Sequence, residues 1–372
     1  MTTTDPNDHD RTHATEADTE AGDHDRTGAT EVGDETGGGD RRRVAETGDE
    51  ARGRMRAARI ETCGRPPVVG DVPVPVAGPG ESLVRVRAAP ITPLDLLCAG
   101  GASYFGAPAV PYVPGVQGVG TVGERAVWFP TSAGMAAGDG SMAGLAVARS
   151  DELVELPAGA DPYAVAALGL SAVAAHMALT WRGELAAGEQ VVVLGGGGVV
   201  GQAAVQLARL AGARRVVAGA RSPEARERAM RAGADAVVAL DTQDVADLAA
   251  RLSAACDGPV DLVLDPLFGA PAAAAARTLR PGGRLVNLGS SAAETCPLDS
   301  STLRSRSLRV LGYTNNELTR EQRAQAMMLI AEHAALGRLS VAHEVVPLEE
   351  TGSAWQRQAA GTAGGRIVLR IT

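Results

Sequence analysis

Seven residues from Gly195 to Gly201, G-G-G-G-V-V-G, follow the apolar stretch Val191-Val192-Val193-Leu194 without a break. Those four apolar, mostly β-branched residues read as a buried strand, and 200–211 carries apolar residues at helical spacing. The chain must therefore pass from strand to helix through glycines. Gly196, Gly198 and Gly201 meet the G-x-G-x-x-G spacing. In that pattern the first glycine permits the tight turn, the second lets phosphates approach the backbone, and the third lets helix and strand pack closely. The first N–H groups of a helix have no partner inside it and suit an anion. The junction thus predicts a dinucleotide pyrophosphate site made by Gly195, Gly196, Gly197, Gly198, Val199, Val200 and Gly201. The alternative is a glycine-rich turn in a chain that has 46 glycines.

Downstream, apolar spacing alternates. Strands are expected at 215–218, 236–240, 260–264, 284–288 and 308–311, and helices at 223–232, 245–255, 270–279 and 322–336. Such alternation makes a parallel sheet with helices on both faces, an α/β architecture. Upstream, residues 55–155 read as short strands (82–86, 118–122, 125–129) between Gly/Pro turns, a mostly β unit. The end of the chain, with Val345-Val346 and 367–371, returns to strand character.

Residues 1–54 differ from the rest. They hold 15 of the 44 acidic and 7 of the 35 basic side chains, leaving 29 and 28 for the remainder, so most of the formal charge of -9 sits in this segment. It has almost no aliphatic side chains and repeats D-H-D-R-T-x-A-T-E at Asp8 and Asp23. Such a segment cannot bury enough apolar surface to fold, and a disordered tail is expected.

The nearly neutral remainder gives no electrostatic case for nucleic acid or an anionic membrane. Every basic residue is Arg, which excludes Lys-based Schiff-base chemistry. Cys63, Cys98, Cys256 and Cys296 are far apart, which argues against zinc fingers and dithiol redox motifs. No window of 18 uninterrupted apolar residues and no secretory leader is visible, so a cytoplasmic location is expected.

From Met55 onward the chain resembles the zinc-independent branch of the medium-chain dehydrogenase/reductase superfamily, most closely the quinone oxidoreductases of the zeta-crystallin group. The residues that carry the resemblance are M-R-A-A-R-I at Met55, P-I-T-P-L-D at Pro90, V-P-G-V-Q-G-V-G at Val113, the glycine junction, R-A-G-A-D at Arg231, L-R-P-G-G-R-L-V-N-L-G at Leu279 and G-R-I-V-L at Gly365. The resemblance implies a GroES-like catalytic domain over 55–160 completed by 338–372, a Rossmann domain over 161–337, and a cleft between them. It also implies a homodimer paired through the strand at 308–311. Zinc-dependent members carry a Cys and a His where this chain has Thr92 and Val116, and no metal is expected.

For the cofactor, the end of the strand after the glycines lacks the carboxylate that accepts from a ribose 2′-hydroxyl. Arg221 stands there with Ser222, and its planar fork suits a 2′-phosphate. Arg226 falls where related NADPH enzymes often carry a basic residue. NADP(H) is therefore the expected cofactor. Asp265-Pro266 and Gly289-Ser290 are expected beside the nicotinamide half, mainly through their backbones.

Tyr104 and Thr92 are the polar candidates for catalysis, since hydride transfer needs positioning more than acid–base groups. A Tyr packed at the domain edge is an equal reading of Tyr104. Gln117 replaces a family Glu, Ala174 replaces a family Thr, and the segment at 122–125 suggests a trimmed loop over the cleft. The resemblance implies reduction of a quinone or another conjugated carbonyl. An enoyl reductase and a non-catalytic NADPH-binding sensor remain alternatives.

Overall fold

The structure, a computed structural model, describes residues 53–372 apart from Tyr104. Nearly all of the acidic segment, and Tyr104, therefore lie outside the described residues.

Strands β1 (Arg54–Arg59) and β2 (Val68–Pro73) pair antiparallel. Next come β3 (Glu81–Pro90), α1 (Pro93–Ala99), β4 (Gln117–Val122), β5 (Arg125–Pro130), β6 (Leu145–Arg149) and β7 (Val154–Glu155). The middle of the chain is α2 (Pro162–Met177), β8 (Gln190–Leu194), α3 (Val199–Leu210), β9 (Arg215–Ala220), α4 (Pro223–Arg231), β10 (Ala236–Ala239), α5 (Val245–Ala255), β11 (Val260–Asp265), α6 (Gly269–Ala276), β12 (Leu279–Asn287), α7 (Ser300–Ser305) and β13 (Arg309–Gly312). Helix α8 (Arg320–Ala335), β14 (His343–Pro347), α9 (Thr351–Ala359) and β15 (Arg366–Arg370) complete it.

One sheet has the order β10-β9-β8-β11-β12-β13, and every pairing in it is parallel. Chain order thus reverses between β8 and β11, and in open α/β sheets ligands bind beyond the strand ends at such a point. Val191, Val192, Val193 and Leu194 are wholly buried because helices cover both faces. Each such side chain contributes roughly 1.5–3 kcal/mol of burial. The second sheet runs β14-β15-β3-β4-β5-β7, with β6 also paired to β3. The C-terminal strands therefore rejoin the N-terminal ones, as their strand character suggests.

Three local results differ from the sequence reading. The helix expected over 270–279 ends at Ala276. The Thr278 amide and hydroxyl both bond the Ala275 carbonyl, and Leu279 enters β12 opposite Val260. The short segment at 122–125 is the β4–β5 hairpin turn, and its strands reach the cleft between the sheets at their other end, at Val116, Pro130 and Thr131. It is not a loop over the cleft. Finally, Pro162–Arg182 forms one apolar helical stretch of 21 residues despite its Gly, Ser and His interruptions. Most of it is buried between the sheets and against α3 and α8, so its apolar character serves the core.

Helix α2 is also kinked. Gly169 has φ 34°, and a Cβ there would lie 2.1 Å from Gln117 Oε1. Gln117 fills the kink from β4: its Oε1 accepts from Leu170 N at 2.8 Å and from Trp128 Nε1 at 2.9 Å. That one side chain sets how Leu170, Ser171 and Ala174 are presented to the space between the sheets.

Candidate functional site

The glycine turn is held by close contact on three sides. A Cβ at Gly196 would meet Ala218 Cβ of β9 at 2.7 Å, one at Gly197 would meet Ala225 O of α4 at 2.4 Å, and one at Gly201 would meet Gly195 O at 2.2 Å. Gly198 differs: its added Cβ has a single neighbour, Gly195 O at 3.4 Å. It is the N-cap of α3 and offers no side-chain cap. The first N–H groups of α3 thus open onto unfilled space, as an anion site requires.

Two side chains that the motif does not announce brace the turn. Gln202 Nε2 and Arg228 Nε both donate to Gly197 O, at 3.0 and 2.9 Å. Gln202 Oε1 also accepts from Ala342 N, tying the turn to the segment before β14.

At the end of β9, Arg221 is exposed and its side chain has no hydrogen-bond or ionic partner among the described residues. Arg226 is instead engaged, with Nη1 on the Arg221 carbonyl at 2.8 Å. It holds the loop rather than projecting a free charge. Ser222 caps α4, its Oγ accepting from Ala225 N, and the pKa of Glu224 beside it is lowered by that residue's own backbone N–H and then by the Ser222 hydroxyl. The hydroxyl expected on the cofactor is therefore occupied within α4.

At the end of β11, Asp265 Oδ1 accepts from Leu267 N and Phe268 N, and Asn287 Nδ2 donates to Oδ2. Burial raises the pKa of this carboxyl, and those hydrogen bonds oppose the rise. The side chain shapes the turn, and it is Pro266 that reaches the cleft. Gly289 backs onto Pro266, where a Cβ would stand 3.0 Å from its carbonyl oxygen. Ser290 is exposed, and Leu288 is the cleft residue from this segment.

A cleft of about 660 Å³ lies between the two sheets. Val200, Pro266, Leu288 and Ala174 line it from one side, and Thr92, Val116 and Thr131 from the other. Thr92 is the N-cap of α1 in a capping box with Asp95, and its hydroxyl donates to Asp95 Oδ2 at 2.6 Å. Asp95 Oδ1 accepts from Gly115 N and Val116 N. Burial raises the Asp95 pKa despite the hydrogen bonds from Thr92 and Val116. The Thr92 hydroxyl is therefore engaged by Asp95 and directed inward, away from the cleft. Ser171 is the polar group the sequence did not single out. Its Oγ accepts from Arg366 Nη2 at 2.8 Å, and no acceptor for its own hydrogen is present among the described residues.

Arg366 is buried, with Nη1 on the Ile91 carbonyl and Nε unpartnered. Burial lowers its pKa to about 10, with Asp95 pulling the other way. Among the described residues no three His, Cys, Asp or Glu side chains converge as a metal site, and Thr92 and Val116 supply no ligand.

A family model described as zinc-binding dehydrogenase matches residues 199–332. The quinone oxidoreductase of Lama guanicoe is 29% identical over 328 residues, covering 85% of this chain and 97% of that protein. Among solved structures, the quinone oxidoreductase of Thermus thermophilus, determined alone and in complex with NADPH, is 30% identical with a TM-score of 0.70, covering 85% of this chain and 100% of that one. One subunit of the phenolphthiocerol/phthiocerol polyketide synthase of Mycobacterium tuberculosis is 30% identical over 309 residues, 77% of this chain and 13% of that protein.

Proposed function

This chain belongs to the medium-chain dehydrogenase/reductase superfamily, in its zinc-independent quinone oxidoreductase branch; it is an oxidoreductase, and we propose that it reduces a quinone or another conjugated carbonyl with NADPH. The observation that carries this reading is the unfilled, uncapped start of α3 at Gly198, opening beside a cleft whose reacting end is apolar. Bound there, the nicotinamide supplies the hydride.

The chain's own residues then bind, orient and exclude water. N–H groups of Val199, Val200 and Gly201 hold the pyrophosphate, and Arg221 pairs with a 2′-phosphate where a carboxylate would repel it. Val200, Pro266 and Leu288 wall off the nicotinamide. Ser171, its oxygen fixed by Arg366, donates its hydrogen bond to the substrate carbonyl as negative charge develops there. Thr92 acts through Asp95 as a positioning residue.

The domain boundaries at 55–160 with 338–372 and at 161–337, and a dimer formed through the edge of β13 that has no strand partner among the described residues, belong to the same proposal. NADPH oxidation against a panel of quinones and enones, followed by nicotinamide absorbance, tests it. Tight NADPH binding without turnover on any acceptor would favour a sensor instead. Reduction of an enoyl thioester is a second reading, favoured by the likeness to part of a polyketide synthase and by the open edge of β6.

A further inference from the structure

Strand β6 pairs only with β3 among the described residues, at Glu81↔Arg149 through Arg85↔Leu145. Val86 N bonds Gly144 O and Ser150 N bonds Gly80 O, so the even-numbered residues of β6 face β3. Alternation along an antiparallel ladder then points the N–H and C=O groups of Leu145, Val147 and Arg149 away from β3. Met55 Sδ takes the Leu145 N–H at 3.3 Å. The N–H and C=O of Val147 and the N–H of Arg149 are thus left unpaired by the ladder among the described residues, while the Arg149 carbonyl caps the 3-10 turn Ser150–Glu152.

All five residues of β6 line the cleft. A pocket against a sheet face touches alternate residues, so contact with five in a row means that the strand's open edge forms the wall. The cleft is also long. Glu81 opens β3 and Thr92 lies two residues past its end, and both line the cleft, so it extends along the length of that ten-residue strand, about 30 Å at about 3.3 Å per residue.

We propose that the open edge of β6 binds the pantetheine arm of an unsaturated acyl thioester, laid beside it as an added strand with the acyl group at the Ser171 and Val200 end. The proposal rests on the reductase reading above and names its substrate class. The hydrocarbon tail of a quinone would fill the channel but leave the Val147 and Arg149 amides unmet, at a cost in free energy. A peptide would meet them but carries no bond to reduce. An arm with amides at intervals, ending in a conjugated thioester, satisfies both. In the reaction the thioester's β-carbon takes the hydride, the electron pair of the double bond moves to the α-carbon, and that carbon takes a proton from water. NADPH leaves as NADP⁺ and the thioester leaves saturated.

The test compares kcat/KM for crotonyl-pantetheine with that for the crotonyl thioester of butanethiol, which lacks the amides. The expected advantage is at least about tenfold, equivalent to about 1.4 kcal/mol. Val147→Pro removes an outward N–H at an edge position that tolerates proline, and should bring the ratio close to one. Independently, butyryl-pantetheine with NADP⁺ should slow hydrogen exchange at Val147 and Arg149 in the unaltered protein, a readout that needs no variant to fold. Crotonyl-coenzyme A and a carrier-protein crotonyl thioester should both outperform the butanethiol ester, and the faster of the two identifies the source of the arm. Equal rates with and without amides, together with unprotected amides on β6, overturn the inference. Absence of NADPH oxidation with every quinone, enone and thioester overturns the reductase reading beneath it.

Discussion

Gly198→Ala isolates the anion site from the fold that carries it. Gly198 has φ -78°, which alanine adopts freely, and its added Cβ would lie 3.4 Å from Gly195 O, an ordinary contact. Within the protein the change costs only the difference between glycine and alanine at an N-cap, up to about 1 kcal/mol, or roughly 1–2 °C in Tm for a chain of this size. The methyl nevertheless enters the space where a pyrophosphate would meet the first N–H groups of α3. Displacing it forfeits one or two charge-assisted hydrogen bonds worth about 1.5–3 kcal/mol each, so NADPH affinity should fall roughly ten- to a hundredfold or more. Calorimetric titration with NADPH and thermal unfolding of the same sample measure the two effects. Gly201→Ala is the contrasting control. Its Cβ would stand 2.2 Å from Gly195 O, so the turn itself must move and stability should fall by about 1–3 kcal/mol with or without cofactor. If G198A binds NADPH as tightly as the parent, the phosphates do not sit on this helix start and the assignment of the site is wrong.

Other outcomes follow from neighbouring contacts. Arg221→Ala should weaken NADPH by about 1.5–3 kcal/mol and leave NADH nearly unchanged, read as the ratio of the two dissociation constants; an unaltered ratio removes Arg221 from the site. Gln117→Leu leaves the Trp128 and Leu170 N–H groups without their acceptor, so urea unfolding should show a loss of roughly 2–5 kcal/mol. Burial lowers the pKa of His176, on α2, and of His333, on α8; the His333 charge adds to the effect on His176, and Arg338 adds to that on His333 while Glu332 opposes it. The folded state therefore favours neutral imidazoles. Their stabilising contribution is complete above about pH 6.5 and is lost as pH falls through the depressed values. Tm should drop below that pH in the parent, and His176→Gln should flatten the slope.

How far the sequence could be read depended on whether a residue's role was local. The strand-to-helix junction at 191–201 was legible because four apolar residues and three spaced glycines lie in one short window, and the α5 boundaries at Val245 and Ala255 followed from helical spacing in the same way. The site's side-chain chemistry was less legible. Ser171 acquires its place from a kink made by Gly169 and Gln117, more than fifty residues apart, and its hydrogen-bond donor Arg366 arrives from the last strand. Nothing within ten residues of Ser171 announces that encounter. Ser222, Arg226 and Thr92 present the opposite case. Each has the right chemistry at the right position, but a local partner occupies it: Ala225 and Glu224, the Arg221 carbonyl, and Asp95.

The free edge of β6 was hidden for a third reason. Its sequence, L-A-V-A-R, reads as a strand, but whether a strand has one neighbour or two is a property of the sheet. Motif, partner and edge thus call for progressively longer-range information. The proposed pyrophosphate site needs only backbone at one turn, the proposed reacting end needs side chains from three segments, and the proposed outer channel needs the sheet order itself. Chemistry common to the family should therefore lie in the first, where few residues decide it. Substrate choice should lie in the last, where the wall is backbone and its openness depends on β6 lacking a second neighbour. A change that adds a strand partner to β6 should alter which acyl thioester is reduced without altering how tightly NADPH binds.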